Sequence, residues 1–259
     1  ETYNNLGTVL KNQNRFDEAI ANYKRAISLK PDYAEAYYNL ANSYRGQRRL
    51  DDALENYCKA IDSNPMHVEA LNNLGVTLKE QGRLDEALLI HNRVIRLRPD
   101  YAEAHNNNGI VLQELGMLRE ALKAFDKAIV SKPDYAEAHF NRSMALLLAA
   151  QFDEAWPEYE WRLRTKTYGV RTFQQSKWDG SLLDGQTIFV HSEQGLGDTI
   201  QFVRYLPMIK SQGGRVIFEC YPSLYLLLRE CPGIETIVER VPSGEPVETF
   251  DVHVPLMSL

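Results

Sequence analysis

The stretch Ala102-Glu-Ala-His-Asn-Asn-Asn-Gly109 decides the fold of the N-terminal part of this chain, because close variants of it recur along the sequence. One asparagine of the stretch returns every 34 residues, at Asn5, Asn39, Asn73, Asn107 and Asn141. A fixed period of this length is typical of a helix-turn-helix unit that cannot bury its apolar face alone and must stack on its neighbours. The spacing therefore predicts an all-α superhelix of about five units over residues 1–162.

The pattern within a unit predicts two helices. Units begin near residues 1, 34, 68, 102 and 136. In the second unit the recurring positions hold Tyr37, Leu40, Ala41, Tyr44, Ala53, Tyr57, Ala60 and Pro65. The first four share one face of a helix, and the small residue among them lets a partner helix approach closely. The proline ends the second helix, because it has no N–H to donate and disturbs the preceding turn.

These positions resemble the tetratricopeptide repeat consensus closely, and the resemblance recurs in five units. The fifth unit departs from the pattern in Glu154-Ala-Trp-Pro-Glu-Tyr-Glu-Trp-Arg162. Pro157 is tolerable near the start of a helix. Trp156 and Trp161 are large enough to cover an end that has no further repeat to bury it, and we expect them to act as a cap. A ligand platform is the alternative role for the two rings.

The recurring asparagine is the sixth residue of each unit and lies roughly opposite the packing face. A primary amide can pair with both the C=O and the N–H of a peptide group while ignoring side-chain identity. The row formed by Asn5, Asn39, Asn73, Asn107 and Asn141 therefore predicts a concave groove that binds an extended polypeptide with little sequence preference. An open alternative is that each amide bonds across to the neighbouring repeat. The second residue adds Glu35, Glu69, Glu103 and Glu137, which also suit the first turn of a helix.

The repeats and their asparagine row also resemble those of eukaryotic-type protein O-GlcNAc transferases. In that family such a row holds the acceptor polypeptide, so the resemblance implies a polypeptide partner for this region.

Composition and charge argue against several classes of function. The 259 residues are 44% hydrophobic and carry a net charge of -6, which gives no basic footprint for nucleic acid. The three cysteines, Cys58, Cys220 and Cys231, have no metal-binding or disulfide spacing, so we expect no metal site and favour a reducing, cytoplasmic location. No apolar run reaches the ~18 residues of a membrane-spanning helix. The chain opens at Glu1, already inside a repeat.

Beyond the repeats the periodicity changes. Residues 163–185 are rich in glycine and polar side chains and read as a linker. Residues 186–259 alternate strands and helices, which predicts a parallel sheet and the first half of a Rossmann-like domain. The predicted strands are 187–191, 215–220, 234–238 and 250–254, and the predicted helices are 199–211 and 222–230.

The loop after the first strand, Glu193-Gln-Gly-Leu-Gly-Asp198, is the candidate site of chemistry. Gly195, Gly197 and Thr199 would let the backbone turn sharply and offer N–H groups to a phosphate or another anion. A nicotinamide-type site is an alternative, since Glu219 ends the second strand. Ile200 stands where that fingerprint has its third glycine, and Asp198 would face the pyrophosphate, which weighs against it.

Residues 178–259 resemble the N-terminal half of a two-Rossmann (GT-B) glycosyltransferase similar to heptosyltransferases, of the family 9 type. The resemblance rests on Trp178-Asp-Gly180, on residues 193–207 and on residues 250–259. It implies a general-base role for Asp198, a nucleotide-sugar donor held mainly by a second domain, and no cofactor in this segment. Asp198 as a helix cap is the competing interpretation. His191 and Glu193 flank the same edge and are weaker candidates.

The sequence thus favours a polypeptide-binding scaffold joined to part of a glycosyltransferase-like domain. We expect this segment to be inactive alone, with sugar transfer to a protein or glycan acceptor as the alternative function of a longer parent chain.

Overall fold

The computed structural model describes residues 1–165, 171–241 and 248–259. They form two compact units, Glu1–Trp161 and Arg162–Leu259. Each unit has its own hydrophobic core. Residues 166–170 of the predicted linker, which include Gly169, lie outside the described residues.

The N-terminal unit consists of five antiparallel helix pairs. The first helices of the pairs are α1 (Thr2–Asn12), α3 (Ala34–Gly46), α5 (Val68–Glu80), α7 (Ala102–Glu114) and α9 (Ala136–Leu148). The second helices are α2 (Phe16–Leu29), α4 (Leu50–Ser63), α6 (Leu84–Leu97), α8 (Leu118–Ser131) and α10 (Phe152–Tyr159). Each second helix also packs on the next first helix. The predicted all-α superhelix is therefore confirmed for this unit.

In three of the five pairs a large ring of the second helix packs on a glycine of the first. A Cβ atom added at Gly109 would lie 2.6 Å from the ring of Phe125, and one at Gly75 would lie 2.7 Å from the ring of His91. Both rings are completely buried. The small residue is thus required by close helix approach, since a larger one would push the pair apart and open voids in a close-packed core.

The fifth pair is covered by Trp161, as expected, and the Trp156 ring packs on Phe152 and edge-on against Tyr159. The Trp161 indole stacks on the His139 ring with 3.8 Å between centroids. His139 is held by the Glu158 carboxylate at 2.6 Å and by the Pro133 carbonyl at 2.9 Å. Trp156 remains 50% exposed. It lies on the helix face that other units bury under the following repeat, and among the described residues no sixth helix pair covers it.

The C-terminal unit is built on a parallel five-stranded sheet. Its strands are β1 (Ser176–Lys177), β2 (Thr187–His191), β3 (Arg215–Cys220), β4 (Thr236–Glu239) and β5 (Val252–Pro255), in the order β1-β5-β2-β3-β4. The register sets His191 beside Glu219 on one side and Pro255 on the other. The short β1 lies within the predicted linker, where its two residues pair with β5 and carry no apolar pattern that the sequence could show.

Helices cover one face of this sheet. Ile188, Val190 and Phe218 point to that face and share a core with residues of α11 (Leu196–Phe202), α12 (Leu206–Ser211) and α13 (Tyr225–Leu228), which follow β2 and β3. The predicted helix start at Thr199 was therefore wrong by three residues, because the chain turns into the helix directly after Gly195. On the opposite face, Phe173 packs on Phe189 and Phe250.

His91 introduces a pH-sensitive position into the core of the N-terminal unit. Neither ring nitrogen has a hydrogen-bond partner within the described residues. Burial, and to a smaller degree the Lys79 charge, lowers its pKa from 6.5 to about 4. Because the folded pKa is below the unfolded one, the unfolded chain takes up a proton first as the pH falls. The stability that the neutral ring contributes is complete above pH 6.5 and is lost between 6.5 and about 4.

We predict that His91→Phe stabilises the N-terminal unit, since Phe125 shows that a phenyl ring fits at the equivalent position over a glycine. Removing two unpaired buried nitrogens should raise the free energy of unfolding by about 1 kcal/mol at pH 7, and by about 2 kcal/mol more at pH 5. Urea denaturation at both pH values measures this. His105→Phe is the control and should destabilise, because His105 bonds to the Pro99 carbonyl at 2.8 Å. A variant of His91 less stable than wild type at both pH values would refute the prediction.

Candidate functional site

The first helices form the inner surface of the N-terminal unit. Besides packing within pairs, α1 packs on α3, α5 on α7 and α7 on α9. Direct contact along this series places the first helices on the inner, concave side of a stack of helix pairs, with the second helices outside. The side chains that face the groove are therefore first-helix side chains.

Three rows of side chains run along this inner face in units two to five. The acid row is the second residue of each unit: Glu35, Glu69, Glu103 and Glu137. The amide row is the sixth residue: Asn39, Asn73, Asn107 and Asn141. The ninth residue forms a row that is apolar from the third unit onward, which we call the apolar row: Asn42, Val76, Ile110 and Met144. Residues spaced by four and three lie on one helix face, and all but Asn39 are at least partly exposed.

The amides of the amide row bond across the repeats. The Nδ2 atom of Asn107 donates to Asn72 Oδ1 at 3.1 Å, and that of Asn141 donates to Asn106 Oδ1 at 2.9 Å. In the same way Asn39 donates to Asn4 at 3.1 Å. The amide of Asn73 donates instead to Asn42 Oδ1 at 2.9 Å. The open alternative from the sequence, a bond to the neighbouring repeat, is thus what four of the five asparagines do.

This bonding changes what each asparagine can offer to a peptide. Asn39 is only 6% exposed and points into the interface, so its predicted peptide contact is not supported by its position. Asn73, Asn107 and Asn141 are half-buried and Asn5 is exposed. A carboxamide has two N–H groups and a carbonyl oxygen, so an amide that uses one N–H across the repeat keeps capacity for a second partner. For these residues peptide binding stays a prediction.

Sequence reasoning missed the acceptors of these bonds. Three of the four are Asn4, Asn72 and Asn106, the fifth residue of three units, and all three are buried. The position seemed variable because the second and fifth units hold Tyr38 and Phe140 there. The signal was the Asn-Asn doublet at the fifth and sixth positions. Its second amide lies on the inner face, and its first amide lies within reach of the following repeat.

Ion pairs satisfy some of the charges on the inner face. Arg45 pairs with Glu80 at 3.0 Å and Lys79 with Glu114 at 3.5 Å. A cavity of about 380 Å³ opens beside the first of these pairs. In the acid row, Glu69 pairs with Arg98 at 3.1 Å.

The other end of the acid row has no such partners. No cation lies within ion-pair distance of Glu103 or Glu137 in the part of the chain that the structure describes. The Tyr135 hydroxyl is close enough to feel both carboxylates. Burial, followed by the charges of Glu103 and Glu137, raises the pKa of Tyr135. The fourth and fifth units thus present a negatively charged strip with a neutral phenol.

The loop after β2 places Asp198 in the first turn of α11. Its Oδ2 atom accepts a hydrogen bond from the Gly195 N–H at 3.1 Å, so the capping interpretation holds. Thr199 is buried, and its hydroxyl donates to the Gly195 carbonyl at 3.1 Å. Gly195 and Gly197 are exposed. A catalytic role for Asp198 and anion binding by the glycines stay predictions.

The Glu193 carboxylate is held in place by hydrogen bonds. Its Oε1 atom accepts from Arg162 Nη2 at 2.6 Å and from the Met257 N–H at 3.2 Å, and the same Arg162 nitrogen donates to the Ser258 hydroxyl at 2.9 Å. Arg162 is completely buried. These bonds join the loop after β2 to the end of the chain beyond β5. Nothing in the sequence pattern distinguished Arg162, because its partners lie 31 and 96 residues away.

His191 and Glu219 are buried on the sheet face opposite the helices. Burial, followed by the charges of Arg171 and His253, lowers the pKa of His191 to about 2, so the ring is neutral near pH 7 and faces Phe173 rather than solvent. Glu219 is 1% exposed and bonded to Arg171 at 2.5 and 3.0 Å. Its carboxylate is therefore not available to a ribose, which removes the remaining support for a nicotinamide site.

The described parts of the chain were searched for a metal-binding cluster and for a membrane-spanning helix. Within residues 1–165, 171–241 and 248–259, no three His, Cys, Asp or Glu side chains come together in a way that could hold a metal ion. In the same ranges, none of the helices is both apolar and long enough to cross a membrane.

The helix pairs match known protein families. Residues 7–47 match a family described as TPR repeat, and residues 38–102 and 106–161 match one described as tetratricopeptide repeat. A search of curated proteins gave no match.

Several solved structures resemble the chain. A structure of MamA is 26% identical, with a TM-score of 0.55, and the alignment covers 61% of this chain and 92% of that one. TTC0263, a thermophilic TPR protein of Thermus thermophilus, is 26% identical, with a TM-score of 0.55 and coverage of 65% and 92%. YrrB, whose structure is described as that of a TPR protein with an unusual peptide-binding site, is 25% identical, with a TM-score of 0.52 and coverage of 64% and 85%.

We predict that Asn107→Ala destabilises the N-terminal unit by about 1–2 kcal/mol, because it leaves the buried Asn72 oxygen without its donor. Asn72→Ala should cost a similar amount, and the double variant less than the sum of the two. Urea denaturation of the four proteins gives the coupling energy. Strictly additive costs would show that the bond between Asn72 and Asn107 contributes nothing to stability.

Proposed function

Since the N-terminal unit belongs to the tetratricopeptide repeat family, we propose that its inner face binds an extended polypeptide and that the unit serves as a protein–protein interaction scaffold. The observation that carries the proposal is the exposed strip on the first helices, where polar amides and apolar side chains run side by side across the repeats. The peptide-binding site named for YrrB supports it by analogy with a protein of the same repeat architecture.

The apolar row supplies the hydrophobic part of this surface. Val76 and Ile110 are half-buried and Met144 is 37% exposed, although all three lie on helices whose other faces are packed in the core. Apolar side chains aligned on an open face bind a partner by removing their surface from water, which contributes roughly 25 cal/mol per Å². The row can therefore hold apolar side chains of a bound segment.

The amide row supplies the backbone contacts. Asn107 and Asn141 each use one N–H for the bond across the repeats and can direct the remaining N–H and the carbonyl oxygen to a peptide group. Asn73 donates to both Asn42 and Tyr38 and can offer its carbonyl oxygen. Packed helices are ~8–10 Å apart and an extended chain advances ~3.3 Å per residue, so one asparagine would meet about every third residue. Four units would span about twelve residues.

We predict that Val76→Asn together with Met144→Asn weakens peptide binding about 10-fold, since both changes remove apolar contact area from the groove. The second unit has an asparagine at this position, Asn42, and urea denaturation checks that the variant is folded. Isothermal titration with a twelve-residue peptide selected from a random library on the wild-type protein measures the effect. The matched control is Leu89→Asn with Val130→Asn, two exposed positions on second helices, which should bind within about twofold of wild type.

Two results would contradict the scaffold function. One is a selection that returns no binding peptide, and the other is an equal loss of affinity in the groove variant and the control.

We propose as a second function that the C-terminal unit forms part of a sugar-transferring domain of the GT-B type. The supporting observation is the strand order. β3 and β4 lie successively on one side of β2, whereas β5 lies on its other side, and all pairs are parallel. In open parallel sheets ligands bind at the carboxyl ends of the strands where the order reverses, which here is between β2 and β5. The loop that carries Asp198 leaves β2 at this edge.

Asp198 would act there as the general base on an acceptor hydroxyl. Its bond to the Gly195 N–H fixes the carboxylate at the start of α11, and the side chain remains partly exposed. A carboxylate in such a place can take the hydroxyl proton while the oxygen attacks the anomeric carbon of a nucleotide-sugar, whose nucleotide leaves. The donor is a substrate, and its binding groups are not assigned to residues of this unit.

We predict that Asp198→Asn, in the natural chain that contains these residues, lowers sugar transfer by about 10²–10⁴-fold. The asparagine oxygen can still accept the Gly195 N–H, so the fold should be kept, which circular dichroism checks. Transfer from a panel of nucleotide-sugars is followed by mass spectrometry of the acceptor. Transfer at the wild-type rate would exclude the base role of Asp198, and absence of transfer by the wild-type chain across the panel would exclude the second function.

A further inference from the structure

We infer that the occupant of the groove is an extended segment in which Lys or Arg residues alternate with apolar residues. The inference rests on the proposed scaffold function and adds the chemistry of the partner. It is carried by the placement of the acid row and the apolar row on opposite sides of the amide row.

The inner face of units two to five is negatively charged. At its second, twelfth and thirteenth helix positions it has six carboxylates and two cations: Glu35, Glu69, Glu80, Glu103, Glu114, Glu137, Arg45 and Lys79. Both cations are already paired with Glu80 and Glu114. The charge that remains for a ligand is therefore that of the acid row, and a basic ligand complements it.

The unpaired end of the acid row lies in the fourth and fifth units. Arg98 and His67 approach Glu69, and His67 also approaches Glu35 at 3.4 Å. Among the described residues no cation pairs with Glu103 or Glu137, and both side chains are partly exposed. Two carboxylates one repeat apart, without cations of their own, are matched by two basic side chains of a ligand.

The apolar side chains of this face become more exposed in the same direction. The row changes from Asn42 in the second unit through the half-buried Val76 and Ile110 to the exposed Met144, and the exposed Leu148 follows Met144 one turn later. The end of the groove that has the unpaired carboxylates thus also has the most exposed apolar side chains.

The geometry of an extended chain links the two rows. The acid row and the apolar row are seven helix positions apart, which is about 10 Å at 1.5 Å per residue, and the amide row runs between them. Successive side chains of an extended chain point to opposite sides. If the backbone follows the amide row, side chains on one side of the chain reach the acid row and those on the other side reach the apolar row. Same-side residues are ~6.6 Å apart and the helices ~8–10 Å apart, and the long, flexible side chains of Lys and Arg span this difference. Alternation, and not net charge alone, is therefore what this surface selects.

Three peptides of twelve residues each distinguish the effect of alternation from those of composition and of the sign of charge. The first alternates Lys and Leu over its central six residues between Gly-Ser flanks. The second has the same composition with the three Lys and the three Leu in separate blocks. The third alternates Glu and Leu. Their affinities for the chain are measured by fluorescence anisotropy at low and high salt.

Two variants with the same change in net charge locate the effect. Glu103→Gln with Glu137→Gln removes the unpaired carboxylates of the acid row. Glu55→Gln with Glu120→Gln removes two exposed carboxylates of the second helices α4 and α8 and is the matched control. Circular dichroism and urea denaturation verify that all proteins are folded.

We expect the alternating Lys-Leu peptide to bind at least 10-fold more tightly than the other two. The acid-row variant should lose about 3- to 10-fold of this affinity, as expected for two partly exposed charge pairs, and the control less than twofold. High salt should weaken the wild-type complex and leave that of the acid-row variant nearly unchanged.

The outcomes that overturn the inference differ from those that overturn the scaffold function. Equal affinity for the alternating and block peptides, or an equal loss in the two variants, would reject the inference while peptide binding stands. Tight binding of the Glu-Leu peptide would reject it as well. If none of the probes binds and library selection also fails, the scaffold function falls together with the inference.

Discussion

The packing of one large ring on one glycine, found in three of the five helix pairs, is the constraint on which the N-terminal unit depends. Gly109 lies under Phe125 and Gly75 under His91, so closely that a Cβ atom would overlap either ring. Close approach fixes the distance between the two helices of a pair, and the same geometry in every unit brings equivalent helix positions into line. The straight rows of the inner face are a consequence of this interior contact.

The alignment also explains why the amide row has two duties. Once the units stack in register, the sixth residue of one unit faces the fifth residue of the unit before it, and the bonds from Asn107 to Asn72 and from Asn141 to Asn106 follow. Such a bond holds each amide in a fixed orientation, so that its free groups are arranged before a ligand arrives. An ordered row of donors loses less conformational entropy on binding than flexible side chains would.

The C-terminal unit combines structural and candidate chemical roles in the same loop. Asp198 caps α11 through the Gly195 N–H, and five positions earlier in the chain Glu193 fixes the loop to the buried Arg162. A carboxylate that is held by a backbone bond stays in one place while its second oxygen remains available. The neighbouring His191 lies buried against Phe173, and burial keeps its ring neutral.

The sequence by itself determined the helix pairs, the positions of the small residues, the helix face with the acid row and the amide row, and four of the five parallel strands. These features follow from periodicity and local backbone preferences, which are properties of neighbouring residues. The tertiary structure decided that Asn39 is buried, that Asn4, Asn72 and Asn106 are acceptors, and that Arg162 and Arg171 pair with Glu193 and Glu219. It also decided that Trp161 stacks on His139 at the last helix pair. Such contacts join residues far apart in the chain. They depend on side-chain positions to within a few tenths of an ångström, which no local pattern encodes.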